Sequence, residues 1–120
     1  MTRLLIAALP SAAILALAAF LLVSPVLAKE CMIASHYGAE SGSRTADGSF
    51  FDGTQMVAAH KTMKFGTTLR VTYQGRSVVV TVRDRGPFIR GRSLDLSTAA
   101  ARKLGMIRAG VARVCVERVG

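Results

Sequence analysis

The sequence predicts a small all-β barrel with one short helix, and three observations lead to this fold class. Short runs rich in valine and threonine alternate between apolar and polar residues, as half-buried strands do. Glycine-containing turns separate these runs about every ten residues, which is typical of small barrels. Only residues 98–104 combine a helix start with a helix stop. We therefore expect many short strands around one core.

Residues 1–28 are predicted to be a cleaved secretory signal rather than part of the fold. Arg3 supplies the positively charged start, and residues 4–23 form a long, mostly apolar run. Small residues follow at 26–28, where a signal peptidase would cleave. The alternative is an uncleaved transmembrane anchor, because the run approaches the ~20 apolar residues that span a bilayer. Two prolines in the segment favour the signal, which leaves residues 29–120 as the mature domain.

Export without lipid attachment is the expectation for this domain. Cys31 follows the cleavage site closely, but Lys29 and Glu30 precede it where a lipoprotein signal requires small residues. We therefore predict a periplasmic or secreted protein, not a lipoprotein, with no stable membrane anchor after cleavage. We also expect a monomer.

The mature domain is strongly basic. The chain has 16 Lys and Arg, of which only Arg3 lies in the signal, and 7 Asp and Glu, so the mature net charge is 15 − 7 = +8. Such a charge favours anionic partners. For an exported protein these are cell-wall polymers, anionic lipid surfaces or acidic polysaccharides rather than nucleic acid. A solvated, solubilising surface explains the charge equally well.

The two cysteines, Cys31 and Cys115, lie near the two ends of the mature domain. In an oxidising compartment a single pair most simply forms one disulfide. This bond would tie the first strand to the last. Two cysteines and two histidines at these spacings match no usual zinc pattern, so no metal is expected.

The strand pattern is clearest in the middle of the domain. Residues 67–73 and 77–82 alternate, are rich in β-branched residues and are separated by the turn Gln74-Gly75-Arg76, so they predict a hairpin. Other expected strands are residues 31–37, residues 111–119, which close the fold, and residues 56–60, which form either a strand or a turn.

The remaining segments are a loop and a helix. Residues 38–49 form a polar loop rich in glycine and serine, of the kind in which functional residues often lie. The short apolar run Leu94-Asp95-Leu96 leads into the predicted helix at residues 98–104. Ser97 caps the start of this helix and Gly105 its end.

Asp84 is the strongest candidate for chemistry, because it lies at the tip of a predicted strand that Gly86 and Pro87 end abruptly. Since neighbouring strand residues point to opposite faces, the flanking arginines need not pair with it. If Phe88 partly desolvates the carboxyl, its pKa rises and it can act as a general acid. The alternative is a turn aspartate that binds its own backbone.

The other candidates are weaker. His60 would orient a carboxylate or bind substrate, although an ordinary, partly buried histidine fits the pattern as well. Asp47 and Asp52 are the acids of the loop region, and they matter because glycoside cleavage usually employs two carboxyl groups. Asp95 precedes the helix, so we expect it to accept hydrogen bonds from backbone amides there.

A series of short motifs resembles the rare lipoprotein A (RlpA-like) family. They are Ala34-Ser35-His36-Tyr37-Gly38, Thr45-Ala46-Asp47-Gly48, Phe51-Asp52, Ala58-Ala59-His60-Lys61-Thr62, Phe65-Gly66-Thr67, residues 80–88 with Asp84-Arg85-Gly86-Pro87-Phe88, residues 91–97 with Asp95-Leu96-Ser97, and Leu104-Gly105-Met106. The resemblance covers almost all of residues 29–120 and implies a six-stranded double-psi β-barrel.

The resemblance also implies a function. It suggests a lytic transglycosylase that cleaves peptidoglycan glycan strands, particularly strands without stem peptides, to give 1,6-anhydro ends and needs no cofactor. Asp84 falls on the position of the family's acid and base, and His60 on its cleft histidine. Tyr37, Arg85, Phe88 and Asp52 are the expected substrate contacts.

Several departures from the family pattern favour a second hypothesis. Members usually carry a glutamate after the glycine of the loop, where this chain has Ser49, and an aromatic where it has His36. The acylated cysteine and the C-terminal peptidoglycan-binding repeat of many members are not expected either. The alternative is therefore a non-catalytic, expansin-like module that binds cell-wall polysaccharide. A secreted effector or inhibitor is a third possibility that no residue selects.

Overall fold

A computed structural model describes residues 29–120; the predicted signal at residues 1–28 lies outside the described residues. Six strands and one α-helix account for about half of this domain. They are β1 (Glu30–Tyr37), β2 (Val57–His60), β3 (Thr68–Tyr73), β4 (Arg76–Asp84), β5 (Leu94–Ser97), α1 (Thr98–Leu104) and β6 (Ala112–Arg118). A single 3-10 turn, Ala39–Ser41, lies in the polar loop after β1.

The strands form a closed barrel in the order β1-β5-β2-β4-β3-β6. β1 pairs with β5, and β2 with β4, in parallel, while the other four pairs are antiparallel. Closure leaves no sheet edge open to another chain. The predicted six-stranded double-psi barrel is therefore confirmed.

Strict alternation along the central strands builds the core. Leu69 and Val71 of β3, and Val80 of β4, are almost completely buried, whereas Val79 between the buried positions is 46% exposed. This period of two places one face of each strand inside the barrel and the other in solvent. The inward-facing residues of the strands, mostly valine and leucine, form one continuous core.

The predicted hairpin of β3 and β4 is confirmed, with a tighter turn than expected. Gln74 and Gly75 have φ angles of 48° and 80°, so both occupy the left-handed region that a two-residue hairpin turn requires. Arg76 already pairs with Tyr73 and begins β4 rather than belonging to the turn.

The helix forms as its capping residues predict. The Ser97 hydroxyl accepts a hydrogen bond from the Ala100 amide, and Gly105 ends the helix in the left-handed conformation. Leu104 packs into the core. The apolar run before the helix, Leu94–Ser97, is strand β5 and lies between β1 and β2.

The disulfide between Cys31 and Cys115 is also confirmed. The two residues are directly opposed on β1 and β6, so the bond joins the first and last strands of the barrel. Within residues 29–120, no helix is both long and apolar enough to cross a membrane.

Candidate active site

Four adjacent strands place a row of residues on one face of the barrel. Ser35 of β1 is in register with Asp95 of β5, Asp95 with Ala59 of β2, and Ala59 with Asp84 of β4. Because neighbouring strands lie about 4.8 Å apart, the Cα atoms of the two aspartates are about 10 Å apart across Ala59. The register thus brings together two carboxyl groups from β4 and β5, two strands that are separated by β2 in the barrel.

Asp95, Ala59 and Asp84 of this row line a cleft of about 330 Å³. Ala59 lies between the two aspartates, and its small side chain leaves room above the sheet. The other lining residues come from β1, the loop after it and the segment after β4: Tyr37, Ser41, Arg44, Arg85, Gly86, Pro87, Phe88 and Ile89. The cleft therefore combines two acids and two arginines with an apolar rim.

Asp84 ends β4 inside this cleft. Its Oδ1 accepts hydrogen bonds from the amides of Ala46, at 2.9 Å, and Arg85, at 3.0 Å. Gly86, with a φ of +119°, turns the chain away directly afterwards. The amide of Arg85 bonds back to the Asp84 side chain, as in the turn alternative, but the second bond comes from a distant loop and holds the carboxylate at the cleft.

Neither flanking arginine forms an ion pair with Asp84, as predicted, although the reason is different. The pairing of β2 with β4 shifts by one residue after Ala58, which leaves Arg83 as the extra residue of a bulge. The Arg83 guanidinium binds Asp47 at 3.1 Å. Phe88 is 80% exposed on the rim, so its ring gives Asp84 little of the partial desolvation that was expected from it.

Asp95 is the site residue that the sequence analysis missed. It was expected to bind backbone amides at the helix start, but its Oδ1 accepts a hydrogen bond from the Ser35 hydroxyl at 3.0 Å instead, and it faces the cleft. Burial raises the pKa of Asp95, while the Ser35 bond opposes this rise. The signal that could have found it is the apolar setting of Leu94-Asp95-Leu96, which predicts a desolvated carboxyl.

Tyr37 lines the same cleft from the end of β1. Its ring stacks on Phe51 with the centroids 4.9 Å apart. Burial, together with the negative charges of Asp84 and Asp95, raises the pKa of Tyr37, so this hydroxyl keeps its proton. The hydroxyl oxygen is buried near Asp84, and among the described residues it forms no hydrogen bond of ordinary geometry.

The polar loop is fastened beside Asp84 through Asp47. The Asp47 side chain accepts hydrogen bonds from the Thr45 hydroxyl, at 2.6 Å, and the Ser49 amide, at 3.0 Å, in addition to the Arg83 guanidinium. These bonds, led by the one from Thr45, hold the pKa of Asp47 well below its usual range. Asp47 is therefore an ionised anchor of the loop, and Ser49 does not line the cleft.

The structure does not bring His60 together with Asp84. Since Ala59 faces the cleft, the next residue of β2 points to the opposite face of the strand. The His60 Nδ1 accepts hydrogen bonds from the amides of Thr62 and Met63, at 3.1 and 3.0 Å. Burial lowers the pKa of His60, which favours the neutral ring.

Asp52 also lies outside the cleft. Its Oδ1 accepts hydrogen bonds from both the amide and the hydroxyl of Thr54, at 3.0 and 2.6 Å, and these bonds lower its pKa. Asp52 therefore closes a surface turn, the role that the sequence analysis considered only for Asp84. Within residues 29–120, no cluster of three or more His, Cys, Asp or Glu side chains could hold a metal ion.

The sequence matches known proteins along most of the described domain. Residues 29–116 match the family model described as lytic transglycolase. A relative from Nostoc, named as a probable endolytic peptidoglycan transglycosylase RlpA, is 55% identical over 93 residues. The Pseudomonas aeruginosa endolytic peptidoglycan transglycosylase RlpA is 49% identical over 89 residues. These matches cover 73% and 72% of this chain but only 25% and 26% of the relatives, so the chain spans about a quarter of their length.

Solved structures agree on the fold, and the family match decides the family. A Streptomyces papain inhibitor superposes with a TM-score of 0.66 and 25% identity, covering 78% of this chain and 96% of the inhibitor. A mutant Clavibacter michiganensis expansin in complex with cellohexaose superposes with a TM-score of 0.64 and 25% identity, covering 78% of this chain and 51% of the expansin. The family model extends over more than two thirds of the sequence and over the whole barrel except the last two residues of β6. This chain therefore belongs to the lytic transglycolase family.

Proposed function

We propose that this protein is a lytic transglycosylase that cleaves peptidoglycan glycan strands, preferentially strands without stem peptides, and leaves 1,6-anhydro ends. The observation that carries the proposal is the row that places Asp84 and Asp95 in one cleft on either side of Ala59. Membership of the family and the names of the RlpA relatives support the same activity.

The chemistry needs one proton donor and one proton acceptor. The bond between the sugar C1 and the bridging oxygen breaks, and that oxygen takes a proton from the acid. The 6-hydroxyl of the same sugar gives its proton to the base, and its oxygen bonds to C1. No water is consumed, and exchange with solvent returns both carboxyls to their starting states.

Asp95 suits the role of the acid, because its burial favours the protonated form. Asp84, held by two amide hydrogen bonds, suits the role of the base. This assignment modifies the prediction from sequence, in which Asp84 performed both steps. A pair of carboxyls in different environments is the usual way to obtain an acid and a base in one site.

His60 then acts as a positioning residue. Its ring accepts hydrogen bonds from two backbone amides in the turn after β2, and its carbonyl accepts a hydrogen bond from Arg85 at 3.2 Å. Arg85 lies directly after Asp84, so His60 indirectly supports the end of β4 that carries Asp84. Tyr37, which lines the cleft, and Phe88, through its exposed ring, contact the sugar.

The test is to incubate the purified protein with peptide-free glycan strands and to detect products by mass. We expect products with anhydro ends from the native protein. Asp84→Asn and Asp95→Asn should each lower the rate about 100-fold or more, because each removes a proton-transfer group. Arg102→Gln, an exposed change on α1 outside the cleft, serves as a control with the native rate. Activity that survives Asp95→Asn would contradict the acid assignment.

The alternative is a non-catalytic, expansin-like module that binds wall polysaccharide. The exposed apolar rim, with Phe88 80% and Ile89 54% exposed, supports it, as does the similarity to the expansin structure with cellohexaose. Ser49, where relatives of this family were expected to carry glutamate, also favours binding without cleavage. This function predicts that the protein pellets with insoluble wall and forms no new chain ends. If Ser49→Glu then creates cleavage, the native protein is a binder.

We also propose that the protein works as a monomer at the cell wall, in the periplasm or outside the cell, after removal of residues 1–28. N-terminal sequencing of the exported protein should begin at Lys29. A product that retains the apolar segment and stays with the membrane fraction would support the anchor alternative instead.

A further inference from the structure

The two arginines that line the cleft differ in what they bind. The Arg85 Nη1 donates hydrogen bonds to the carbonyls of Met63 and His60, at 2.7 and 3.2 Å. The Arg85 guanidinium also lies 3.8 Å from the centre of the Phe65 ring. Its hydrogen-bonding capacity is therefore partly used inside the protein, and its position is fixed by contacts that do not involve a ligand.

Arg44 is in the opposite situation. Its side chain is exposed at the cleft, and its one hydrogen bond is a long one, 3.4 Å from Nη1 to the Gly48 carbonyl. Among residues 29–120, no carboxylate lies within ion-pair distance of it. A guanidinium has five N–H donors, so most of those of Arg44 point to solvent or to whatever occupies the cleft.

The backbone that carries Arg44 is nevertheless well fixed. Arg44 forms a bridge with Phe50, and the Thr45 amide donates to the Ser49 carbonyl at 2.9 Å. The Ala46 amide, two residues after Arg44, donates to Asp84 in the catalytic row. A guanidinium on such a frame pays less entropy on binding than one on a mobile loop.

The charge of the cleft explains why such a group is useful. Asp84 presents negative charge to the ligand, so a glycan that carries its own carboxylates meets repulsion unless a cation offsets it. A guanidinium binds a carboxylate with two parallel hydrogen bonds. We infer that Arg44 is the residue by which this cleft selects carboxylate-bearing glycans over neutral ones. An example of such a glycan is one whose amino sugars carry a lactyl ether with a free carboxylate. The inference builds on the proposed function but concerns recognition rather than cleavage.

Binding measurements on an inactivated protein test this inference. The Asp95→Asn variant is titrated calorimetrically with peptide-free glycan oligosaccharides that carry free lactyl carboxyls, and with the same oligosaccharides after their carboxyls have been converted to methyl amides. We expect the free acid to bind more tightly. Adding Arg44→Gln should weaken binding of the free acid about five- to ten-fold and change that of the amide less than about two-fold.

Two further variants complete the design. Arg102→Gln removes the same charge from α1, outside the cleft, and should leave the preference for the free acid intact. Arg44→Lys keeps the charge without the planar fork and should retain only part of the preference. Equal losses for both glycans after Arg44→Gln, or equal binding of both by the Asp95→Asn protein with Arg44 intact, would overturn the inference. Because binding is measured without cleavage, the inference can stand even if the transglycosylase proposal fails.

Discussion

Two carboxyl groups face the same cleft from different surroundings. Asp95 is half-buried and receives one hydrogen bond from a buried hydroxyl, whereas Asp84 lies at a strand end and receives two from backbone amides. Burial penalises the charged form of Asp95 and raises its pKa. The individual environments, rather than the residue type, are therefore the basis on which we propose different proton-transfer roles for the two groups.

Replacing Asp95 with Asn should separate stability from activity. Because the folded-state pKa of Asp95 is raised, the native state binds more protons than the unfolded state between the two pKa values, and stability falls as pH rises through them. Asn carries no charge and can still accept the Ser35 hydrogen bond. In urea unfolding at pH 7, we expect Asp95→Asn to be at least as stable as the native protein. At acidic pH, where Asp95 is protonated, the stability of the native protein should rise relative to that of the variant. A clear loss of stability at pH 7 would show that the ionised carboxylate is not penalised.

Ser35 is expected to tune the acid without touching the substrate. Its hydroxyl donates to Asp95 at 3.0 Å, and this bond lowers the pKa that burial raises. Ser35→Ala removes the donor, so the pKa of Asp95 should rise further and the alkaline limb of the pH–rate profile should move to higher pH. The measurement is the initial rate of anhydro-product formation across pH. A lower rate at every pH with an unmoved profile would indicate a packing defect instead.

At the scale of elements, the loop after β1 completes the site by binding to β4. The Asp47 amide donates to the Arg83 carbonyl at 3.1 Å, and the two side chains form an ion pair. Asp47 is only 14% exposed and accepts several hydrogen bonds, so its lowered pKa keeps it ionised over the neutral range. These contacts place Ala46 against Asp84 and Arg44 at the cleft.

Asp47→Asn should therefore loosen this loop. The change removes the charge that binds Arg83 and weakens the hydrogen bonds from Thr45 and Ser49. We expect weaker glycan binding and a lower cleavage rate, with faster amide hydrogen exchange in residues 44–50. Since the lowered pKa contributes stability above the unfolded value of about 3.9, native and variant should converge as pH falls below it. Asp52→Asn, in a turn outside the cleft, is the matched control; unchanged exchange in Asp47→Asn would contradict this account.

Local signals predicted some elements and could not predict others. The hairpin and α1 follow from neighbouring residues: alternation with a glycine turn, and a serine and glycine at the helix ends. β5 has only four residues, and it is a strand because it pairs in parallel with β1, 60 residues away between Ser35 and Asp95. Such a pairing leaves no local pattern, which is why Asp95 was assigned to the helix start.

At the scale of the whole molecule, the site depends on how the barrel closes. Strands from the beginning, middle and end of the domain alternate in the order β1-β5-β2-β4, and this order creates the row that carries both aspartates. Asp84 was predictable because its own motif ends a strand. Which face of β2 carries His60 was not, because it follows from the register of β2 with β5. The family resemblance predicted the barrel. The registers of its strands determine which side chains lie next to each other in the cleft.

Closure also depends on the bond between Cys31 and Cys115, which lie opposite each other on β1 and β6. The bond spans a sequence separation of 84, and in the chain-entropy model a loop of this size stabilises a domain by about 4.5 kcal/mol. Replacing both cysteines with serine should lower the free energy of unfolding in urea by about this amount. Dithiothreitol should destabilise the native protein to a similar extent and leave the double variant unchanged, which separates the bond from any effect of serine. Since β1 also carries Ser35 and Tyr37, we expect the double variant to lose glycan binding at a lower urea concentration than the native protein. Equal unfolding midpoints of the two proteins would contradict a stabilising role for the bond.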